Sequence, residues 1–436
     1  MARLLQSLRR ALGLTSSTPV PRYARSIDTN FSVFRGMEGD RVVVHGKSPL
    51  LSKPLRKGHK SDTRRGQLEH DNIIGRRVRD LVQARKGPEY RLSLPTLEEY
   101  VAMTPRLVTP IYSADANLIV SLLDIHIAPP AEGTDTPPLE ILESGTGHGS
   151  LTLHLARAIQ GANSTPPPLP PSSQVTYLPT KPGEVSTRKL QTPADGAPTP
   201  TVDPDQENWD TWRSQRKAII HTVDVTPKSS VHAEGIVRGF RRGIYAGNVD
   251  FYAGHVEDWI AEQKRQRAPT GLLSSLTKDD VEPFLSYAIL DMPSAHLRIP
   301  HVASILKRDG ILAVFMPSVT QIGDCVELIR RQSLPFVQDK VVELGNGISS
   351  GRLWDIRHAV KKSRDSVSVA SSSAEEGSEE SVETSAVETE SLDVAEEKTP
   401  KEEDSVLVCR PKVGSRIVGG GFVGIWRKIE EDARRR

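Results

Sequence analysis

Apolar and polar positions along this chain fall into blocks that alternate between strand-like and helix-like spacing. Residues 31–95 hold short β-prone runs broken by Gly, Pro and basic residues; "DRVVVHG" is one predicted strand. "LPTLEEYVAMT" predicts a short helix capped by Thr96, with Glu98 and Glu99 in its first turn, where the helix dipole favours them. "SADANLIVSLLDIH" carries apolar residues at helical spacing. "LEILESGTGHGSLTLHLARAI", residues 139–159, begins as an apolar strand, turns on Gly145, Gly147 and Gly149, and continues as an amphipathic helix. The pattern then runs through "RKAIIHTVDV", a strand ending at Asp224, a weaker helix in "PKSSVHAEGIVRGFRR", and two more strands in "VDFYAGHVEDWI" and "LSYAILDMP". "IPHVASILKRDGILAVFMPSVTQIGDCVELIRRQ" reads as helix, Asp-Gly turn, strand and helix. Such alternation predicts a parallel α/β sheet.

Two segments break the pattern. Residues at about 162–208 are rich in Pro, Thr and Ser, and those at about 364–404 are rich in Ser and Glu. Neither composition promises enough apolar burial to offset the entropy of ordering, so both are expected to be disordered insertions. The second separates "LWDIRHAVKK" from "VLVCRPKVGSRIVGGGFVGIWRKI", which are expected to be neighbouring strands of one domain. The resulting plan is a small β-rich domain over 29–95 and an α/β domain over 96–436.

Composition changes this picture at the ends. The net charge of +2 hides an asymmetry: Arg and Lys crowd the first hundred residues and acidic residues collect at about 366–404. Lys53, Arg56, Lys57, Lys60, Arg64 and Arg65, followed by Arg76, Arg77, Arg79, Arg85 and Lys86, suit phosphate contacts with an anionic partner. Residues 1–28 carry Arg3, Arg9, Arg10, Arg22 and Arg25 among Ser and Leu and no acid before Asp28, the composition of a mitochondrial transit peptide; a basic nucleic-acid-binding tail on a nuclear or cytoplasmic protein is the alternative. Two cysteines, Cys325 and Cys409, build neither a disulfide framework nor a zinc cluster, and no metal site is expected. No apolar run reaches the ~18 residues that span a bilayer.

Candidate chemistry centres on the glycine turn. Glycines let the chain turn sharply and let a ligand approach the backbone, and the helix that follows offers unpaired N–H groups. The spacing G-x-G-x-G from Gly145 is neither the dinucleotide G-x-G-x-x-G nor a Walker A loop, which argues against a phosphate cradle. Glu143 before the turn and Asp224 at the end of the next strand add acidic groups, and Asp224 is placed to accept both ribose hydroxyls of an adenosine. S-adenosyl-L-methionine, which has a ribose and an adenine and no phosphate, fits. Asp291 ends another strand, where a carboxylate can orient an exocyclic amine or act as a base.

Several motifs together resemble the catalytic-subunit family of the tRNA (adenine-58-N1)-methyltransferases. "TRRGQLEHDNIIG", with Gly66, His70 and Gly75, is similar to its first signature, and "LPTLEEYV" followed by "IYSAD" to its second. "ILESGTGHGSLTLHLARA" resembles its cofactor turn, "LDMP" its acceptor motif, and "MPSVTQ", "GRLWDI" and "CRPKVGSRIVGGGF" its later strands. The resemblance implies a Rossmann-like methyltransferase domain behind the small β-rich domain, and methyl transfer from S-adenosyl-L-methionine to N1 of adenine 58 in the tRNA T-loop. It further implies a homo-tetramer, or a hetero-tetramer with a non-catalytic paralogous subunit. By position, it implies that Glu143, Gly145, Gly147, Ser150 and Leu151 line the cofactor's methionine end, that Asp224 binds the ribose, and that Asp291 holds the target base with Tyr112 nearby. His255 stands where the family has an acidic residue beside the cofactor's adenine, His296 replaces an aromatic, and "VGGGF" replaces the late "GHTGF" pattern. The competing expectation is a non-catalytic RNA-binding or scaffold subunit with a vestigial cofactor pocket. The retained turn and Asp291 favour catalysis.

Overall fold

The computed structural model describes residues 26–36, 39–128, 137–179, 186–188, 204–268, 281–345, 354–360, 405–411 and 420–429. The expected leader, apart from residues 26–28, and the acidic Ser-rich segment lie outside the described residues.

The amino-terminal module is β-rich. Strands β1 (Val43–His45), β2 (Leu50–Leu51), β5 (Leu81–Gln83) and β6 (Glu89–Ser93) form an antiparallel sheet in the order β2-β1-β6-β5, and β3 (Lys60–Asp62) pairs with β4 (Gln67–Glu69) as a hairpin. Alternation along β6 buries Tyr90 and Leu92 in a small core with Phe34, Val42, Leu55 and Leu68. His70 is structural here: its Nδ1 accepts from the Arg56 N–H at 3.0 Å and its Nε2 meets Ser61 Oγ at 2.8 Å. The module is locked to the rest of its unit by buried Arg242, whose Nε and Nη2 donate to the two carboxylate oxygens of Asp40 at 2.9 and 2.8 Å. Two parallel charge-assisted bonds of this kind fix both direction and distance.

Helix α1 (Leu97–Met103) follows, with the predicted cap: Thr96 Oγ1 accepts from the Glu99 N–H while Glu99 reaches back to the Thr96 N–H. Helix α2 (Ser113–Leu123) leads into the main sheet, whose strands are β7 (Leu139–Ser144), β8 (Thr176–Tyr177), β9 (Thr187–Arg188), β10 (Ala218–Asp224), β11 (Val249–Ala253), β12 (Leu285–Leu290), β13 (Leu306–Met316), β14 (Phe336–Leu344) and β17 (Gly421–Lys428). Their order is β14-β17-β13-β12-β7-β10-β11-β8-β9, parallel from β13 to β8, with β17 antiparallel between β13 and β14. The expected Asp-Gly turn is absorbed into β13, with Asp309 at φ 61°. Helices α3 (Ser150–Ile159) and α5 (Pro227–Gly239) cover one face together with α2; α6 (Val256–Arg267), α7 (Ile299–Ala303) and α8 (Val319–Arg331) cover the other. This is the expected Rossmann-like α/β architecture.

The expected structureless insertion at about 162–208 differs in the described residues. Asn163 Nδ2 donates to the Ala218 carbonyl and Trp212 Nε1 to Ser164 Oγ. Val175 and Leu178 are buried, β8 and β9 extend the sheet edge, and helix α4 (Pro204–Ser214) buries Trp209 and Trp212. The two tryptophans, just beyond the expected insertion, supply apolar burial that the insertion's own Pro- and Ser-rich composition does not promise. Residues 180–185 and 189–203 lie outside the described residues.

Strands β15 (Trp354–Val360) and β16 (Ser405–Pro411) pair antiparallel as expected. These two strands fall in a different unit from the rest of the described chain.

Candidate active site

Strands β12, β7 and β10 lie side by side and parallel, and their carboxyl ends carry Asp291, Glu143 with Ser144, and Asp224. The chain leaves β7 toward β10 on one side and later returns to place β12 on the other. In a doubly wound sheet, this switch of direction opens a crevice. Here it holds a cavity of about 350 Å³, within the range of small-molecule sites.

The glycine turn forms its floor. Gly145 sits at φ 98°, and a Cβ there would come 1.8 Å from the Asp291 carbonyl oxygen, so only glycine allows β7 and β12 to end this close. The Gly145 N–H donates to the Val223 carbonyl and the Asp291 N–H to that of Ser144, tying the three strand ends together. Gly149, at φ 84°, is the N-cap of α3.

The acidic residues differ in setting. Glu143 is buried, and its Oε2 accepts from Thr152 Oγ1 at 2.6 Å and Thr222 Oγ1 at 2.7 Å. Thr222 gives its single proton to Glu143, so Thr146 Oγ1, 2.7 Å away, donates to Thr222. Burial pushes the Glu143 carboxyl up to about 8, against the pull of the two threonines and with further upward pressure from Asp291 and Asp224. Asp291 is raised to about 7, first by enclosure of its carboxyl and then by the charge of Asp224. Asp224 Oδ2 accepts from the Gly147 N–H at 3.0 Å and Oδ1 from the Thr226 N–H at 2.8 Å. Among the described residues, no Lys or Arg lines the cavity. Three acidic side chains without a lining cation suit a ligand with positive charge and hydroxyl donors, whose charge would favour their ionised forms, and offer no counter-charge to a polyphosphate.

Of the expected site residues, Glu143, Gly145, Gly147, Ser150, Leu151, Asp224 and Asp291 line the cavity together. His255 does not. It is the exposed N-cap residue of α6, outside the lining, while its neighbours Gly254 and Val256 face the cavity. Gly149 packs against Ala233 of α5 and stands just outside the lining. Tyr112 is the N-cap residue of α2, beside lining residue Ile111; its hydroxyl accepts from Arg106 Nη1 at 3.1 Å, with the guanidinium 5.5 Å from its ring centroid. Among the described residues no group of three or more metal-ligating side chains occurs, and no helix is long and apolar enough to cross a membrane.

Sequence reasoning missed the wall formed by Val108, Thr109, Pro110 and Ile111, which is irregular and carries no periodic signal, and lining residue His148. It also missed the three threonines around Glu143, which three different elements deliver.

No protein-family model matches the chain. The tRNA (adenine(58)-N(1))-methyltransferase TrmI of Thermus thermophilus is 25% identical over 301 residues, covering 69% of this chain and 81% of that protein. The tRNA (adenine(58)-N(1))-methyltransferase catalytic subunit TRM61 of Candida albicans is 29% identical over 124 residues, 28% of this chain and 34% of that protein. An S-adenosylmethionine-dependent O-methyltransferase of Thermotoga maritima shares the fold, with a TM-score of 0.52, 13% identity, and coverage of 94% of this chain and 99% of that one.

Proposed function

We propose that this chain, a relative of the tRNA (adenine-58-N1)-methyltransferases, transfers a methyl group from S-adenosyl-L-methionine to N1 of adenine 58 in the T-loop of tRNA. The observation that carries the reading is the convergence of Glu143, Asp224 and Asp291 on one cavity over the glycine turn. A cavity with this acidity and no lining cation fits a cofactor with a sulfonium, an ammonium and ribose hydroxyls. Bound S-adenosyl-L-methionine supplies an electrophilic methyl group. Glu143 and the backbone from Gly145 to Leu151 would hold its amino-acid end, and Asp224 its ribose. Asp224 is already fixed by two backbone N–H donors, so its orientation costs no further ordering on binding.

Asp291 would accept a hydrogen bond from the exocyclic amine of the target base. That contact aims the N1 lone pair at the methyl and stabilises the positive charge that the base acquires. Such positioning of two reactants supplies much of the acceleration in transfers of this kind. Ionised Asp291 is the stronger acceptor and the form that stabilises the cationic base, and its raised pKa of about 7 places that ionisation in the physiological range. The target adenine must leave its stack to reach the cavity. The basic residues of the amino-terminal module named above are all exposed, which supports phosphate contacts with tRNA. The intact turn and Asp291 support a catalytic role over a scaffold subunit, alone or with a paralogous partner.

Titration of the purified chain with S-adenosyl-L-methionine in a calorimeter tests the cofactor assignment. Saturable binding at a one-to-one ratio is expected. No heat and no binding would favour the scaffold reading.

A further inference from the structure

His148 lies inside the glycine turn, is 1% exposed, and lines the cavity. Its Nε2 is 3.1 Å from Thr104 Oγ1. Thr104 has one hydroxyl proton, and its oxygen also lies 2.8 Å from the Tyr100 carbonyl, which can only accept. The hydroxyl therefore donates to Tyr100 and accepts from His148, which places the imidazole proton on Nε2. Nδ1 has no hydrogen-bond partner among the described residues. A buried nitrogen in that position is stable only as a bare lone pair, so the ring is neutral. Burial, together with His232 and Arg106, pushes its pKa down to about 4.

Thr104 closes helix α1, and the chain beyond it forms the irregular cavity wall that carries Val108 to Ile111. This wall is tied to the glycine turn and its flanking helices at separate points. Ser150 Oγ, at the start of α3, donates to the Ile111 carbonyl at 2.5 Å, and His232 Nε2 of α5 donates to the Pro105 carbonyl at 3.1 Å. His232 also packs edge-on against His148, with ring centroids 5.9 Å apart. Val108 rests on the turn itself; a Cβ at Gly147 would lie 3.3 Å from Val108 Cγ2. Yet Leu107 and Val108 are 44% and 45% exposed, so apolar burial alone does not hold this strap down.

From this geometry we infer that His148 is a positioning residue for the cofactor site: its Nε2–H bond to Thr104 holds the 104–111 strap closed against the glycine turn, and cofactor affinity depends on that bond. The inference rests on the cofactor assignment above. It gives His148 a role that the glycine spacing alone does not require, because neither φ nor backbone approach demands an imidazole at that position.

The test is calorimetric titration of S-adenosyl-L-methionine into the full chain, four single variants and one double variant. His148→Ala weakens binding by about tenfold, the upper range for one buried neutral hydrogen bond. His148→Gln, which keeps an N–H donor at similar reach, regains most of the affinity. His148→Leu, which fills the space without a donor, stays as weak as His148→Ala. Thr104→Val weakens binding to a similar degree, and combining it with His148→Ala adds little, because both remove the same bond. Hydrogen exchange on the ligand-free proteins gives an independent reading: amides in 104–111 exchange faster in His148→Ala and regain protection in His148→Gln. Wild-type affinity in His148→Leu, or full additivity with Thr104→Val, would overturn the inference. Failure of the wild-type chain to bind at all would overturn the cofactor assignment, and this inference with it.

Discussion

Two groups of buried acids sit on the same sheet and are treated oppositely. Toward the amino ends of the strands, Asp250 on β11 is buried with Arg216, which donates to its two oxygens at 2.7 and 2.8 Å, and with Arg213 at 2.8 Å. Burial alone would raise its pKa, but the two guanidiniums hold it far below the usual carboxylate range. Nearby Glu140 on β7 meets His221 at 2.8 Å and Arg267 at 3.0 and 2.7 Å; it too is lowered in spite of burial. At the carboxyl ends, Glu143 and Asp291 are enclosed without a lining cation, and both are raised. The same chemistry under similar burial is neutralised by the fold at one end and left unneutralised at the other. A carboxyl kept without a counter-charge costs stability, and a cationic ligand at the cavity would offset that cost.

The largest expected effect comes from breaking the paired end. Replacing Arg213 and Arg216 together with Met strands Asp250 in the interior and should destabilise the fold by about 3–5 kcal/mol or more, read from chemical denaturation. The unpaired end answers in activity. Asp291→Ala should lower methyl transfer by about 10²–10³-fold under single turnover while cofactor binding survives. Full activity would remove Asp291 from the acceptor site.

A subtler contrast lies in stability against pH. Asp291 has a folded pKa above its unfolded value, so its contribution is most favourable below about 4 and is lost as pH rises through about 7. Asp291→Asn should therefore raise the melting temperature at pH 8 by a few degrees, with the gain vanishing near pH 4. In the wild-type chain the rate of transfer should climb with pH through about 7, as Asp291 gives up its proton. A flat profile over that range would contradict the assignment. The smallest effect belongs to the surface. Replacing Arg64 and Arg65 with Ala should weaken tRNA binding modestly and reduce its salt slope by about one per lost phosphate contact.

Much of the sheet was legible because strands and helices write different periods into the chain, and the glycine turn marks where β7 ends. The acidic residues of the site were legible because each ends a strand; Glu143, Asp224 and Asp291 could be placed by counting along predicted elements. What was hidden depends on partners distant in sequence. Nothing near Asp250 announces Arg213 or Arg216, and nothing near His148 announces Thr104. His255 was assigned by its position in a motif, and the backbone turns its two neighbours inward and leaves it outside. The insertion misled because its Pro- and Ser-rich composition hides partners just beyond its end: Trp209 and Trp212 are buried, and Trp212 Nε1 donates to Ser164 Oγ.

The central claim is that this chain places a methyl group on N1 of adenine 58 in tRNA through Asp291. The most direct measurement maps N1-methyladenosine in mitochondrial and cytosolic tRNA from cells carrying the intact gene, lacking it, or carrying only Asp291→Ala. The account predicts that the modification at position 58 disappears from a defined set of tRNAs on deletion and stays absent with Asp291→Ala. Unchanged modification on deletion, or full restoration by Asp291→Ala, would contradict it.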